Sequence, residues 1–138
     1  MSGYLPNNPR LDGIDFTPVN LIAAAAQGTG NSVPPLAKTV KVVGVATNAD
    51  DFIVLPSLAS CPDGHTITVL CSAGSNFEVR TPATSAEEIN SEDCDGTKEL
   101  LATDTTILFI TKINNTIGWM SEVRTAIGAY GTAVVPDA

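Results

Sequence analysis

Aromatic residues are scarce in this chain, at 5% of its 138 residues. A core with so few rings has to be packed from Ala, Val, Ile and Leu, and β-branched side chains favour sheets. Charged residues are also few, at 16%, and the net charge is -8 because acidic residues outnumber basic ones. A phosphate backbone would repel such a surface, so we expect no binding to nucleic acid.

The chain also has no long apolar run, and its number of cysteines is odd. The longest apolar run, Leu21 to Ala26, is too short to cross a bilayer, and no secretory leader pattern is visible, so we expect synthesis in a cytoplasm and no membrane partner. The three cysteines, Cys61, Cys71 and Cys94, fit a reducing compartment. A bridge between Cys61 and Cys71 is left open by the sequence.

The side chains needed for catalysis are poorly represented. His65 is the sole histidine, and no zinc-ligand pair or nucleophile motif accompanies it. Gly28-Thr29-Gly30 lacks the strand and the basic residue that a phosphate loop requires. We therefore predict that the protein is not an enzyme and has no catalytic residue, cofactor or metal.

One acidic segment resembles part of a calcium loop. Ser91, Asp93, Asp95 and Gly96 follow the alternation of such a loop, but position twelve falls at Ala102 where a bidentate Glu is needed. We expect a solvated turn. The segment carries the densest charge of the chain, at Glu87, Glu88, Glu92, Asp93, Asp95 and Glu99.

Residues 1–38 are interrupted by prolines and read as an extended N-terminal arm. Within the arm, Asn20 can cap a short helix over residues 20–27 that stops at Gly28. Few charges but several apolar side chains lie along it, and these need a surface to cover. The predicted partner-binding residues of the arm are Leu5, Leu11, Ile14, Phe16, Val19, Leu21 and Ile22.

Residues 39–138 have the two-residue period of strands and are predicted to form a β domain. Short alternating segments end at turn signals such as Asp63-Gly64, and no amphipathic helix separates them. This spacing predicts an all-β fold, an antiparallel β-sandwich or barrel of jelly-roll type. The predicted strands are 39–46, 51–56, 65–71, 76–80, 98–102, 105–113 and 117–125.

Assembly would solve two problems of such a chain, the apolar arm and the exposed sheet edges. An arm laid over a neighbour, or three domains meeting at an axis, would bury both. Trp119, the single Trp, is predicted to be a packing or interface anchor rather than a platform for sugar stacking. The apolar run from Ala133 to Pro136 is a candidate second strap.

The segment from Phe52 to Pro136 resembles small β modules of tailed-bacteriophage virions, found in head decoration or cement proteins and in fibre or spike proteins. The resemblance implies a homotrimer on the outer capsid surface, bound to the major capsid protein or another virion protein, with the N-terminal arm as its latch. It implies no catalytic residues. The residues that carry it are Phe52-Ile-Val-Leu-Pro56, Pro62-Asp-Gly-His65, Arg80-Thr-Pro82, Ile89-Asn90, Asp95-Gly96 and Gly118-Trp119.

Two functional hypotheses follow from these observations. The first is a capsid decoration protein that stabilises the head through its arm and trimer interfaces. The alternative is a fibre adaptor or receptor-binding module, in which loops such as 72–76 or 84–95 contact host glycans. Both place the mature protein in the virion after synthesis in the host cytoplasm.

Overall fold

A computed structural model describes residues 18–95, 100–103 and 105–124 of the chain. Ten strands occur in these ranges together with one 3₁₀ turn, Leu58–Ser60, and the described residues contain no α-helix. The predicted all-β class is confirmed. The strands are β1 (Val19–Ala23), β2 (Thr39–Val45), β3 (Phe52–Val54), β4 (Thr66–Cys71), β5 (Phe77–Arg80), β6 (Glu88–Ile89), β7 (Glu92–Asp93), β8 (Leu100–Ala102), β9 (Ile107–Asn114) and β10 (Gly118–Arg124).

The first half of the fold is a stack of parallel strands. β1 pairs with β2 and β2 pairs with β4, all in parallel, while β3 pairs in parallel with β5 in a second sheet. Ser32 adds a parallel bridge to Val54, so the segment after β1 also reaches the second sheet. Each pass of the chain therefore contributes to both sheets, which is the arrangement of a short β-solenoid with three rungs.

Antiparallel strands complete both sheets. β9 pairs antiparallel with β4, β10 with β9, and β8 with β5, while the short β6 and β7 lie beyond β10. The strand orders are β1-β2-β4-β9-β10-β6-β7 and β3-β5-β8. The prediction of an antiparallel sandwich or barrel of jelly-roll type is therefore wrong, because alternation identifies a strand without identifying its partner.

The helix predicted over residues 20–27 is not formed, because β1 occupies its first half. Leu21 and Ala23 are buried, whereas the alternate residues Asn20 and Ile22 are exposed, which is the period of a strand. The alanine-rich sequence favours a helix locally, but so short a helix gains little, and pairing with β2 prevails. Residues 1–17 of the predicted arm lie outside the described residues.

The core lies between the two sheets and is built mainly from aliphatic side chains. Its largest member, Trp119, is fully buried on β10 and pairs across the sheet with Lys112 and Ile89. The three cysteines are buried and form no disulfide, so no bridge joins Cys61 to Cys71. The inward side chains of the long strands include Val40, Val42, Ile67, Val69, Leu108 and Ile110.

Candidate interaction surface

The seven-stranded sheet turns one side away from the core, and this side is the candidate functional surface. Burial alternates along β4 and β9, so every second residue of each strand faces outward. β2 and β10 contribute their own outward residues. We call the outer face the set Thr39, Lys41, Thr66, Thr68, Leu70, Ile107, Phe109, Thr111, Ile113, Met120, Glu122 and Arg124.

The strand register arranges these residues in rows across the sheet. Thr66 lies opposite Thr111, which lies opposite Met120. The next row runs from Thr39 through Thr68 and Phe109 to Glu122, and a further row runs from Lys41 through Leu70 and Ile107 to Arg124. The apolar side chains of β4, β9 and β10 are therefore neighbours, and the charged residues lie at the ends of the rows.

A shallow groove of about 340 Å³ lies between β9 and β10 on this face. Met120 is 43% exposed and Ile113 is 39% exposed, so two large apolar side chains of the groove are accessible to solvent. The Arg124 guanidinium lies 5.2 Å from the centre of the Phe109 ring and holds that ring in place. The groove is lined by Phe109, Thr111, Ile113, Met120, Ser121 and Glu122.

An apolar centre with charges at its edges is the composition of a protein interface. Opposing threonines at Thr66 and Thr111 are joined by a hydrogen bond of 2.8 Å between their hydroxyls, which leaves fewer polar groups to be desolvated on contact. The outer face can therefore bury a flat partner surface without leaving many polar atoms unpaired.

The predicted partner-binding residues of the arm are placed differently. Leu21 is 3% exposed and belongs to the chain's own core, so its side chain is not available to a partner. Val19 is half-buried and packs against that core, whereas Ile22 is 51% exposed on β1. Four of the predicted residues, Leu5, Leu11, Ile14 and Phe16, lie outside the described residues.

Trp119 lies in the core, as expected of a packing anchor. Its side chain is completely buried beneath the outer face, and it has no exposed surface on which a sugar could stack. It therefore supports the strand that carries Met120 and Glu122 without contacting a partner itself.

His65 has a structural environment rather than a catalytic one. Its side chain is 4% exposed, and Nε2 lies 2.9 Å from the Ala37 carbonyl oxygen. Burial lowers the pKa of this imidazole below its ordinary value of 6.5, the Ala37 hydrogen bond opposes that shift, and the nearby Lys38 charge adds to it. Through this hydrogen bond, the His65 side chain links the turn before β4 to the segment before β2.

The described residues contain neither a metal-ion cluster nor a membrane-spanning helix. Within residues 18–95, 100–103 and 105–124, no group of three or more His, Cys, Asp or Glu side chains is placed to hold a metal ion. In the same ranges, no helix is long and apolar enough to span a membrane.

Sequence reasoning missed the outer face although a signal for it was present. Ile107-Leu-Phe-Ile110 is apolar at four consecutive positions of a predicted strand, so both faces of that strand must be apolar. One face packs in the core, and the other, with Ile107 and Phe109, lies half-buried on the outer face.

Comparison with protein-family models, with curated proteins and with solved structures gives no match.

Proposed function

We propose that this protein is a non-enzymatic structural protein that assembles as a homotrimer on the outside of a virus capsid and stabilises the head. The observation that carries the proposal is the outer face, with its exposed Ile113 and Met120 beside Phe109 on a regular sheet. Such an apolar patch is a cost for an isolated chain and a source of stability once it is covered.

A second copy of the chain is the partner whose charges complement those of this face. The net charge of -8 opposes loose association between copies, but the face itself carries both signs, at Lys41, Arg124 and Glu122. Copies arranged about an axis can pair these charges at the rim while the apolar side chains of β4, β9 and β10 meet at the centre. Complete burial of a Met or Ile side chain contributes about 2 kcal/mol per residue.

Attachment to the capsid is assigned to the N-terminal arm. Its apolar residues Leu5, Leu11, Ile14 and Phe16 precede β1, which is the edge strand of the seven-stranded sheet. An arm that starts at a sheet edge can extend over an adjacent capsid subunit and add buried area at a seam. The major capsid protein is the proposed partner.

The assembly proposal is tested by light scattering on the purified full chain. A trimer should have three times the chain mass of 14.3 kDa. Met120→Glu and Ile113→Glu each place a charge among the apolar side chains of the groove on the outer face, so each should shift the mass towards that of the monomer. Both sites are exposed in the single chain, so folding should be little affected.

Ile117→Glu is the matched control for these variants. Ile117 is 45% exposed, lies in the β9–β10 turn of the same hairpin and is not part of the outer face. It should remain trimeric. A monomeric wild type, or a trimer that survives Met120→Glu and Ile113→Glu unchanged, would contradict the proposed interface.

A second candidate function is a fibre or receptor-binding module that contacts glycans. It is favoured by a polar pocket that lies between the turn of the β9–β10 hairpin and residues 85–88.

A further inference from the structure

A pocket of about 370 Å³ lies where three connecting segments meet at one end of the fold. The segments are the 3₁₀ turn, the loop before β6, and the turn of the β9–β10 hairpin. The volume is within the range of small-molecule sites in proteins. The lining residues are Leu58, Ala59, Ser85, Ala86, Glu87, Glu88, Asn115 and Thr116.

Close contacts hold these segments together. Gly118, with φ of 85°, lies so near Glu88 that a Cβ there would be 2.5 Å from the Glu88 carbonyl oxygen. Glu87 Oε1 accepts a hydrogen bond of 3.0 Å from the Leu58 amide and so ties the 3₁₀ turn to the loop. The pocket is therefore built into the fold by contacts from all three segments.

Glu87 has an unused acceptor at this pocket. Its Oε2 atom is buried and has no hydrogen-bond partner among the described residues. A buried acceptor without a donor is costly, so such atoms in proteins usually have a partner, and a ligand is one source of it. Glu87 is one of the residues that line the pocket, so a hydroxyl donor bound there can approach this carboxylate.

The charge around Glu87 indicates which ligand would fit. Lys112 is 3% exposed, and its ammonium donates to the Leu58 and Cys61 carbonyl oxygens at 2.7 and 2.6 Å. Its charge acts on Glu87 and would oppose a second cation beside that carboxylate. Glu88 opposes an anion. A neutral ligand with several hydroxyl donors satisfies both restrictions.

We propose that this pocket binds a neutral saccharide unit, whose hydroxyl groups donate to Glu87 and pair with the side chains of Asn115 and Thr116. This inference rests on the second candidate function and goes beyond the assembly role. Both Asn115 and Thr116 are exposed in the hairpin turn and offer donors as well as acceptors, as a ring of hydroxyls requires.

The experiment is a titration of the full ¹⁵N-labelled chain followed by two-dimensional amide NMR. The probes are glucose, galactose and N-acetylglucosamine as neutral sugars, and N-acetylneuraminic acid as an anionic one. At least one neutral sugar should produce saturable shifts at the amides of residues 58–59, 85–88 and 115–116. The anionic sugar should produce none there, because both Glu87 and Glu88 lie in the lining.

Two variants test the assigned contacts. Glu87→Gln keeps an oxygen for the Leu58 amide but replaces the unused acceptor by a donor, and Asn115→Ala removes the exposed amide. Glu87→Gln should weaken binding of the neutral sugar by about tenfold or more, since hydrogen bonds to a charged partner are among the stronger ones. Asn115→Ala should weaken it by a smaller factor, because the Asn115 amide is neutral and exposed. Asn20→Ala, at an exposed Asn on β1, is the matched control and should bind as the wild type does.

Absence of saturable shifts with all three neutral sugars would overturn the proposal, as would shifts that map away from the pocket. Unchanged affinity in both Glu87→Gln and Asn115→Ala would also overturn it. Light scattering on the same samples reports assembly separately, so a chain that forms trimers without binding sugar refutes only the saccharide site. A monomer that binds sugar refutes only the trimer.

Discussion

Lys112 is an exception to the pattern of the strand that contains it. It lies on the inward side of β9, where Leu108 and Ile110 are apolar, and only 3% of it is exposed. Two carbonyl oxygens, those of Leu58 and Cys61, accept from its ammonium, and the Asp63 carboxylate lies 3.3 Å away. The lysine thus gives the Cys61 carbonyl oxygen its donor and adds a second donor to the Leu58 oxygen, which also accepts from the Cys61 amide.

Replacing Lys112 by Met should destabilise the fold strongly. Met fills a similar volume but removes the donor of the Cys61 carbonyl oxygen, and it leaves the Leu58 oxygen with the Cys61 amide at 3.2 Å as its donor. This loss should cost about 2 kcal/mol. Asp63→Asn is the comparison, because the Asp63 side chain is 66% exposed and a pair of that kind contributes less than about 1 kcal/mol. Urea unfolding followed by circular dichroism measures both. Equal losses for the two variants would contradict this assignment of roles.

The sequence of β9 does not show that residue 112 faces inward, because Ile107-Leu-Phe-Ile110 is apolar on both faces and a lysine is usually exposed. It could not predict the role of the lysine. That role depends on the 3₁₀ turn at Leu58–Ser60, which is distant in sequence and is brought close only by the folded sheets.

Strands as elements were largely predictable, whereas their pairing was not. The predicted segments 39–46, 65–71 and 105–113 correspond to β2, β4 and β9, because each combines β-branched residues with alternation. β1 was missed because Ala23 to Ala26 favours a helix locally. Parallel pairing of β1, β2 and β4 involves contacts distant in sequence, and the rungs differ in length, so no repeat was visible.

The start of β10 depends on a glycine. Gly118 has φ of 85°, a region that L side chains rarely adopt, and an added Cβ would meet the Glu88 carbonyl oxygen at 2.5 Å. Gly118→Ala should therefore destabilise the chain by about 2 kcal/mol or more, because strain and a backbone clash add. Thermal unfolding measures the change.

Gly30→Ala is the control for Gly118→Ala. A Cβ at Gly30 would meet nothing within 4 Å, so that variant should be close to neutral. If Gly118→Ala were as stable as Gly30→Ala, the close approach of β10 to β6 would be wrong.

For the whole molecule, the division of the sequence at residue 38 has a direct experimental consequence. That division predicts that a chain without residues 1–38 still folds. In the structure, however, residues before 38 supply buried side chains to the common core, namely Leu21, Ala23, Val33 and Ala37. β1 also pairs with β2 along its length.

Two truncations separate these views. Deletion of residues 1–17 should preserve a cooperative unfolding transition and, on the proposed function, abolish capsid attachment. Deletion of residues 1–38 removes a whole rung and should abolish cooperative folding, since each lost large core side chain costs about 2 to 5 kcal/mol. Circular dichroism melts compare the two. A cooperative melt for the longer deletion would restore the boundary at 38.

The candidate surface could be predicted only in part. Apolar residues on both faces of Ile107-Leu-Phe-Ile110 indicate a second buried side. The neighbours of Phe109, however, are Thr68 and Glu122, and this strand register cannot be read from the sequence. The pocket is less predictable still, because Leu58, Glu87 and Asn115 come from segments far apart in the chain.

The number of strands in the seven-stranded sheet also fixes a distance across the molecule. Each strand advances the seven-stranded sheet by about 4.8 Å, so the five strands β1, β2, β4, β9 and β10 place the edge strand β1 about 19 Å from the last long strand. An inserted rung would lengthen this spacing by one fixed step and leave both ends chemically unchanged. The distance between β1 and the β9–β10 hairpin is therefore set in discrete increments of one strand spacing.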